Sequence, residues 1–385
     1  MNVGLVTTSY PRHEADLAGN FVRGFARALT RLGHTVEVLA PRPSEPSDPP
    51  VDEGISLTWI PYMRPRSFSR TFYGAGAPDN LARDPLAKLG VAPFAASLLA
   101  HIAKRRTRWD AVVSHWALPC ALLVGRMCPG IPHVAVMHSG DVHALSRLPL
   151  ASVWKREIAK HATTLWFVSQ SLRALFGDTG DVNVVVSPMG ITLPEDSHSS
   201  RSQLRTRLGI TRDTALTMSR LVPIKGIDVA MRALAQCPEM DLVVAGDGPE
   251  RASLERYAPR NVRFVGEVSG VAKVELFRAC DMLLYPSRTL PSGRAEGVPT
   301  AVLEAMSYGL PIVATRSGGI PDVLTHDVNA LLVQSDDARS LAAAMQLIAA
   351  KTGLGERLAA HALRDSAHYS WTALLPTLER ALTHG

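Results

Sequence analysis

The 385-residue sequence has little that would tie it to an oxidising compartment or a membrane-spanning existence. It has four cysteines, Cys120, Cys128, Cys237 and Cys280, with no Cys-x-x-Cys pair and no His-rich segment beside them. That pattern excludes a disulfide framework and a zinc module, and the thiols are expected to be reduced and buried. No uninterrupted run of about 18 apolar residues occurs, so no membrane-spanning helix is expected. The opening MNVGLVTTSYPRH reaches proline and charge too soon for a secretory leader, and the expected compartment is the cytoplasm. The first strand-to-helix loop, around Ala18-Gly19-Asn20, lacks Gly-x-Gly-x-x-Gly, which disfavours a nicotinamide-dependent dehydrogenase.

The charge is unevenly spread. Up to Leu193 there are 20 Lys and Arg against 14 Asp and Glu, whereas beyond it the count is 21 against 21, so the formal charge of +6 belongs to the first half. An anionic partner, phosphate-bearing or a lipid surface, would explain the excess, and a solvated basic face is the commoner explanation. No nucleic-acid recognition motif accompanies the charge, so nucleic acid is not an expected partner.

The apolar pattern has a rhythm. MNVGLV reads as a strand, Asn20 to Leu32 as a helix stopped by Gly33-His34, and HTVEVLAP as a second strand. This strand–helix–strand unit implies a parallel sheet with right-handed crossovers. AVVSHW, HVAVMH and TLWFVS continue it, and ALTMSR, DLVVAGDG, VRFVGE, DMLLYPS, PIVATRSGG and NALLVQ repeat it in the second half. Two doubly wound α/β domains are therefore expected, joined through a Pro/Ser/Asp-rich linker, Thr192 to Gln203, with ligands at the carboxyl ends of the strands. Residues 43–80, rich in proline, read as a long connecting loop.

Three stretches carry chemistry. In LTMSRLVPIKGIDVAMRAL, Arg220 and Lys225 lie between a strand and a helix start, a suitable anion site, although on spacing alone an ordinary charged loop is the commoner reading. In EGVPTAVLEA, Pro299 marks a helix start, Gly297 gives the backbone room, and Glu296 and Glu304 stand on either side. Backbone N–H groups of the Val298–Thr300 turn can meet a phosphate while the carboxylates accept sugar hydroxyls, although two solvated helix charges would look the same. In VAVMHSGDVHAL, His138 and Asp141 follow a strand, where a histidine is more often structural than catalytic. The Gly318-Gly319 pair of ATRSGGIPDVL is either a ligand approach or a plain turn.

Taken together, EGVPTAVLEAMSYGLPIVATRSGGIPDVL, MSRLVPIKGIDVAMRAL, VVAGDGPERASLE and VRFVGEV resemble the family-4 retaining glycosyltransferases, whose Glu-x7-Glu motif the first of them matches. The resemblance implies a GT-B fold, two Rossmann-like domains facing a central cleft: 1–193 binding acceptor, 194–365 binding nucleotide-sugar donor, and a 366–385 helix crossing back to the first. It implies transfer of a sugar from a nucleotide-diphosphate-sugar to an acceptor hydroxyl with retention, in bacterial polysaccharide or glycolipid synthesis. A sugar-nucleotide epimerase shares the fold and is the alternative. Arg220 and Lys225 would hold the diphosphate, with Gly19, Gly297, Val298, Pro299 and Thr300 approaching the donor. Glu304 would bind the ribose, Glu296 the transferred sugar, His138 the sugar and acceptor, and Asn20 and Asp141 would lie on the acceptor side. Pro188-Met189-Gly190-Ile191-Thr192 departs from the family's Pro-Asn-Gly-Val-Asp, and His-Ser-Gly-Asp from its His-Gly-Ser-Asp.

No Asp-x-Asp stands where it could hold a metal, and the implied enzyme needs no cofactor. LLAHIAKRRTRW (98–109) and PYMRPRSFSRTF (61–72) interleave cations with apolar residues, suggesting peripheral contact with an anionic membrane on the inner face, where a lipid-linked acceptor would lie, and a solvated helix face and a mobile loop explain the same residues.

Overall fold

The computed structural model describes residues 1–74, 76–193 and 199–383. It divides the chain into two compact units: Met1–Gly190 with the segment from Trp371 onward, and Ile191–Ser370.

In the first unit, β1 (Asn2–Val6), β2 (Thr35–Pro41), β3 (Ile55–Ile60), β4 (Ala111–His115), β5 (His133–Met137), β6 (Thr164–Phe167) and β7 (Asn183–Val186) form one sheet. Its order is β3-β2-β1-β4-β5-β6-β7, and every pairing is parallel. Neighbouring residues of a strand face opposite ways. Leu5, Val38 and Val113 therefore join a core with Phe25, Trp166 and Trp371, while Val6, Leu39 and Val112 join another with Phe94, Leu98 and Ile102. The direction of winding reverses between β1 and β4, so the loops leaving these two strands diverge to opposite faces and open a crevice at their carboxyl ends.

The helix Trp371–Thr383 belongs to this unit because Trp371, Leu374, Leu378 and Ala381 make a buried stripe of helical period. A Cβ at Gly24 or Gly190 would run into the Trp371 indole, which accounts for the absence of side chains at those two positions.

The second unit repeats the plan with β8 (Thr214–Met218), β9 (Asp241–Ala245), β10 (Val262–Gly266), β11 (Met282–Tyr285), β12 (Ile312–Thr315) and β13 (Leu331–Val333). The order is β10-β9-β8-β11-β12-β13, again parallel throughout. The winding reverses between β8 and β11, whose register pairs Leu216 with Leu283.

Several expectations change. Residues 43–80 contain β3, an edge strand, and Tyr62, Phe72 and Tyr73 from this stretch are buried beside Phe94. The strand β7 was not expected at all. In the expected linker, residues 194–198 lie outside the described residues, and Arg201–Gln203 already belong to the helix Arg201–Leu208. Ser200 caps that helix in a reciprocal box with Gln203. The helical stretch Pro85–Arg108 is long and apolar enough to cross a membrane by length and composition, a segment the sequence hides because Lys88 interrupts the run. Phe94, Leu98 and Ile102, one turn apart, are instead fully buried against the sheet. Trp109, Tyr62 and Phe72 are buried too, so most of the apolar residues that suggested membrane contact are core, while none of the cations between them is buried.

Candidate active site

The reversal of winding in the second sheet brings the loop after β8 beside the loop after β11. The first runs through Arg220 to the short 3-10 turn Pro223–Lys225, then into the helix Ile227–Leu234. It is braced from both sides: Leu221 N–H donates to the Asp247 carbonyl (2.8 Å), Glu250 N–H donates to the Leu221 carbonyl (3.1 Å), and Arg288 N–H donates to the Ile224 carbonyl (2.9 Å). The GDGP segment after β9 thus holds the cation-bearing loop in place. Arg220 is exposed on that loop, and the Lys225 side chain is largely buried, with 15% exposed.

Lys225 meets Glu296. Its ammonium donates to Glu296 Oε2 at 2.5 Å and to the Tyr285 hydroxyl at 2.7 Å, and that hydroxyl in turn donates to Glu296 Oε2 at 3.3 Å. Burial, with the Glu296 charge adding to it, pushes the Tyr285 phenol well above its ordinary range, so it stays a neutral donor. A cation, an anion and a phenol are thereby held in one closed set at the carboxyl end of β11. Only the cation of this set can attract a second anion.

The backbone of Glu296 is fixed by the glycines after β12. Gly318 has φ +57, and a Cβ there would strike the Glu296 carbonyl, while Gly319 N–H donates to that same carbonyl at 3.2 Å. The Gly-Gly pair is a close approach, as the sequence allowed, but to the protein's own chain.

The helix Thr300–Ser307 starts one residue later than expected: Pro299 is its N-cap, with extended backbone. Pro299 carries no N–H, so the donors of this turn come from its neighbours, and the first N–H groups of any helix lack an intrahelical acceptor. Gly297 and Val298 are half-buried before it. Inside the helix, Glu304 accepts from Lys273 at 2.7 Å, both side chains about a quarter exposed or less. Each glutamate of the Glu-x7-Glu pair therefore has its own lysine. Among the described residues, no group of three His, Cys, Asp or Glu side chains is placed to hold a metal ion.

The first sheet has its own cluster at the reversal of winding. His138 follows β5 and caps the helix Ser139–Leu145, and its Nε2 lies 3.0 Å from Nδ1 of His115, the last residue of β4. Both rings are buried, with Phe21 and Trp116 packed on His138 at centroid distances of 4.9 and 4.6 Å. Burial drives His138 down to about 3 and His115 well below its ordinary range, so both are neutral at working pH and one must donate to the other. His115 Nε2 has no partner. A bare ring nitrogen left buried costs less than a buried N–H left without an acceptor, which favours His115 Nδ1–H as donor and leaves His138 protonated on Nδ1.

Trp116 turns the chain there with φ +81, a backbone that L residues rarely adopt. Asp141 fastens that turn: one carboxylate oxygen accepts from Ala117 N–H at 2.5 Å and the other from Val142 N–H at 2.8 Å. Burial raises the Asp141 carboxyl to about 7, against the backbone donors that lower it. Both of its oxygens are engaged by the protein's own backbone. Gly19, at φ +74, caps the helix Asn20–Arg31, and a Cβ on it would lie 2.7 Å from Ser9 and Tyr10 main-chain atoms. Asn20 is exposed at the start of that helix. Sequence reasoning missed Tyr285, Lys273, His115 and Trp116, whose neighbours in space are far away in the chain.

Comparison with known proteins gives this arrangement its context. Residues 18–190 match the glycosyl transferase 4-like domain and residues 201–364 match glycosyl transferases group 1. The GDP-mannose-dependent monoacylated alpha-(1-6)-phosphatidylinositol monomannoside mannosyltransferase of Corynebacterium glutamicum is 29% identical over 270 residues, 65% of this chain and 69% of that protein. In the Mycolicibacterium smegmatis GDP-mannose-dependent alpha-(1-6)-phosphatidylinositol monomannoside mannosyltransferase the alignment spans 64% of its length. The D-inositol 3-phosphate glycosyltransferase of Xylanimonas cellulosilytica is 28% identical over 91% of this chain and 87% of its own. Among solved structures, Thermosynechococcus elongatus sucrose-phosphate synthase superposes with a TM-score of 0.77 at 19% identity, covering 99% of this chain and 98% of that one. Anabaena HepE in complex with UDP-glucose superposes with a TM-score of 0.72 at 20% identity, covering 100% and 99%. With two parallel α/β units and both family models matched, the chain belongs to the group 1, family-4-like glycosyltransferases and has the GT-B fold.

Proposed function

We propose that this glycosyltransferase moves a hexose from a nucleotide-diphosphate-sugar to an acceptor hydroxyl with retention of configuration, without a metal, in the synthesis of a polysaccharide or glycolipid. The observation that carries the reading is the Lys225–Tyr285–Glu296 set beside the helix that contains Glu304. Negative charge grows on the departing diphosphate. Lys225 and Arg220, with the N–H groups at the start of the helix Thr300–Ser307, are the groups that would stabilise it. Glu296 would then accept hydroxyls of the transferred sugar and Glu304 those of the ribose, each held by its lysine. Gly297, Val298, Pro299, Thr300 and Gly19 line the donor in this reading. His138 serves the sugar and acceptor, Asn20 the acceptor, and Asp141 acts through the turn that it fastens. Relatives named for GDP-mannose and neighbours solved with UDP-sugars support a nucleotide-sugar donor without choosing its base.

A thermal-shift panel of UDP-, GDP- and ADP-sugars should single out one donor, and product NMR should then show the donor's anomeric configuration. Glu304→Ala is expected to raise the donor KM roughly tenfold with kcat little changed, because ribose contacts serve ground and transition states alike. Full turnover in EDTA is expected, and loss of turnover restored by a divalent cation would overturn metal independence.

His115 sets the tautomer of His138 in this reading. His115→Phe should cut kcat by up to roughly 10²-fold at unchanged fold, whereas His115→Asn, whose amide keeps a donor near the place of Nδ1, should recover most of it. Equal loss in both variants would remove the hydrogen bond from the account.

A further inference from the structure

From the end of the helix Ser139–Leu145 to the first turn of the helix Ala151–His161 the chain holds three large aliphatic side chains out of the fold. Leu148 is 42% exposed, Leu150 is 70% exposed and Val153 is 45% exposed. Leu150 does so from a left-handed backbone, φ 59 and ψ 33, a conformation that costs a leucine free energy and that asparagine or glycine would adopt more readily. The turn is nonetheless well tied. Trp154 Nε1 donates to the Pro149 carbonyl at 3.1 Å, and the Val153 and Trp154 N–H groups both donate to the Leu150 carbonyl, at 2.8 and 3.2 Å. A strained, fixed turn that shows leucine to water serves no packing purpose within the fold.

The segment that carries this tip is cationic. No acidic residue occurs between Asp141 and Glu157, while Arg147 and Arg156 are exposed on either side of the three aliphatic residues and Lys160 is exposed one turn further on. Three aliphatic side chains within six residues fall far short of the roughly 800 Å² per partner of a stable protein interface. They do suit a bilayer boundary, where aliphatic groups enter the acyl layer and flanking cations meet anionic head groups. The two stretches that suggested a membrane from sequence have most of their aromatic and aliphatic residues in the core, Phe68 being the exposed one among the aromatics.

We propose that the Leu148–Val153 turn is a docking tip for an anionic lipid surface, with Leu150 as the inserted residue and Arg147 and Arg156 as the head-group contacts. The proposal adds a partner to the transferase reading, and vesicle binding is measured with neither donor nor acceptor present. Its failure therefore leaves that reading standing, and failure of that reading leaves the docking tip testable.

The experiment is flotation of the full chain with vesicles of phosphatidylcholine alone or containing phosphatidylglycerol. Binding is expected only to the second kind, weakening as salt is raised. Leu150→Asp should reduce it at least tenfold with unchanged circular dichroism and Tm. Leu150→Gly should raise Tm, by relieving the backbone, and still lower binding severalfold. The paired change Arg147→Glu with Arg156→Glu should abolish the preference for phosphatidylglycerol. The proposal is overturned by absence of wild-type binding, by Leu150→Asp binding as well as wild type, or by a Leu150-dependent dimer in solution that binds no vesicles.

Discussion

Replacing Lys225 with Ala is expected to lower kcat/KM about 10³-fold, equivalent to about 4 kcal/mol of transition-state stabilisation, the upper end of what a single oxyanion donor contributes. The effect should fall mainly on kcat, because the charge that Lys225 would meet grows as the sugar–phosphate bond breaks. A structural role would look different. Lys225 is the partner of Glu296, and removing it leaves a largely buried carboxylate with Tyr285 alone, at a cost of about 1–2 kcal/mol in stability. Loss of a merely structural lysine would therefore cost stability and leave kcat of the folded chain near wild type. In the doubly substituted Lys225→Ala, Glu296→Ala chain stability should return towards wild type while activity stays lost. Recovery of turnover in that chain, or more than a tenth of wild-type kcat/KM in Lys225→Ala, would refute the assignment.

The same pair shows how far the sequence could be read. EGVPTAVLEA gave the helix start to within one residue and put the two glutamates on one ligand-sized segment, because proline and periodicity act locally. The set around Glu296 was not legible, since Lys225 lies 71 residues away and Tyr285 reaches Lys225 across 60. Only the order of the second sheet, with its reversal between β8 and β11, makes them neighbours. For the glycines, the sequence shows that the backbone has room but not what comes close to it. Gly19 and Gly318 both meet the protein's own main chain, which needs no ligand to explain it. The strands β1, β2, β4–β6 and β8–β13 were visible as apolar runs. The edge strand β3 was not, because ISLTWI alternates weakly and sits among prolines, and its burial comes only from pairing with β2.

The buried histidines of the first unit predict a steep loss of stability in mild acid. An imidazole in the unfolded chain titrates near 6.5. In the fold, burial lowers His133 to about 4 and His138 to about 3, and lowers His115 well below its ordinary range. A base whose folded pKa is depressed contributes full stability above the unfolded value and loses it as pH falls, since the unfolded chain takes up protons that the fold cannot. Asp141 opposes this. Burial raises it to about 7, so between roughly pH 4 and 7 the folded chain holds one proton that the unfolded chain has released, and its contribution falls as pH rises. Three protons against one leave a net two, or about 2.7 kcal/mol of stability lost per pH unit near pH 5. For a protein at the low end of ordinary stability, about 5–6 kcal/mol, that is enough to unfold the first unit near pH 4. Urea melts from pH 7 to 4.5 should show this slope. His133→Gln removes one titrating ring well away from His138, its partners being Ser114 and the His161 carbonyl. That variant should be less stable at pH 7 yet lose stability with a slope shallower by about one proton, about 1.4 kcal/mol per pH unit. A slope that does not change in His133→Gln, or stability flat down to pH 4.5, would mean that these rings take up protons without leaving the fold.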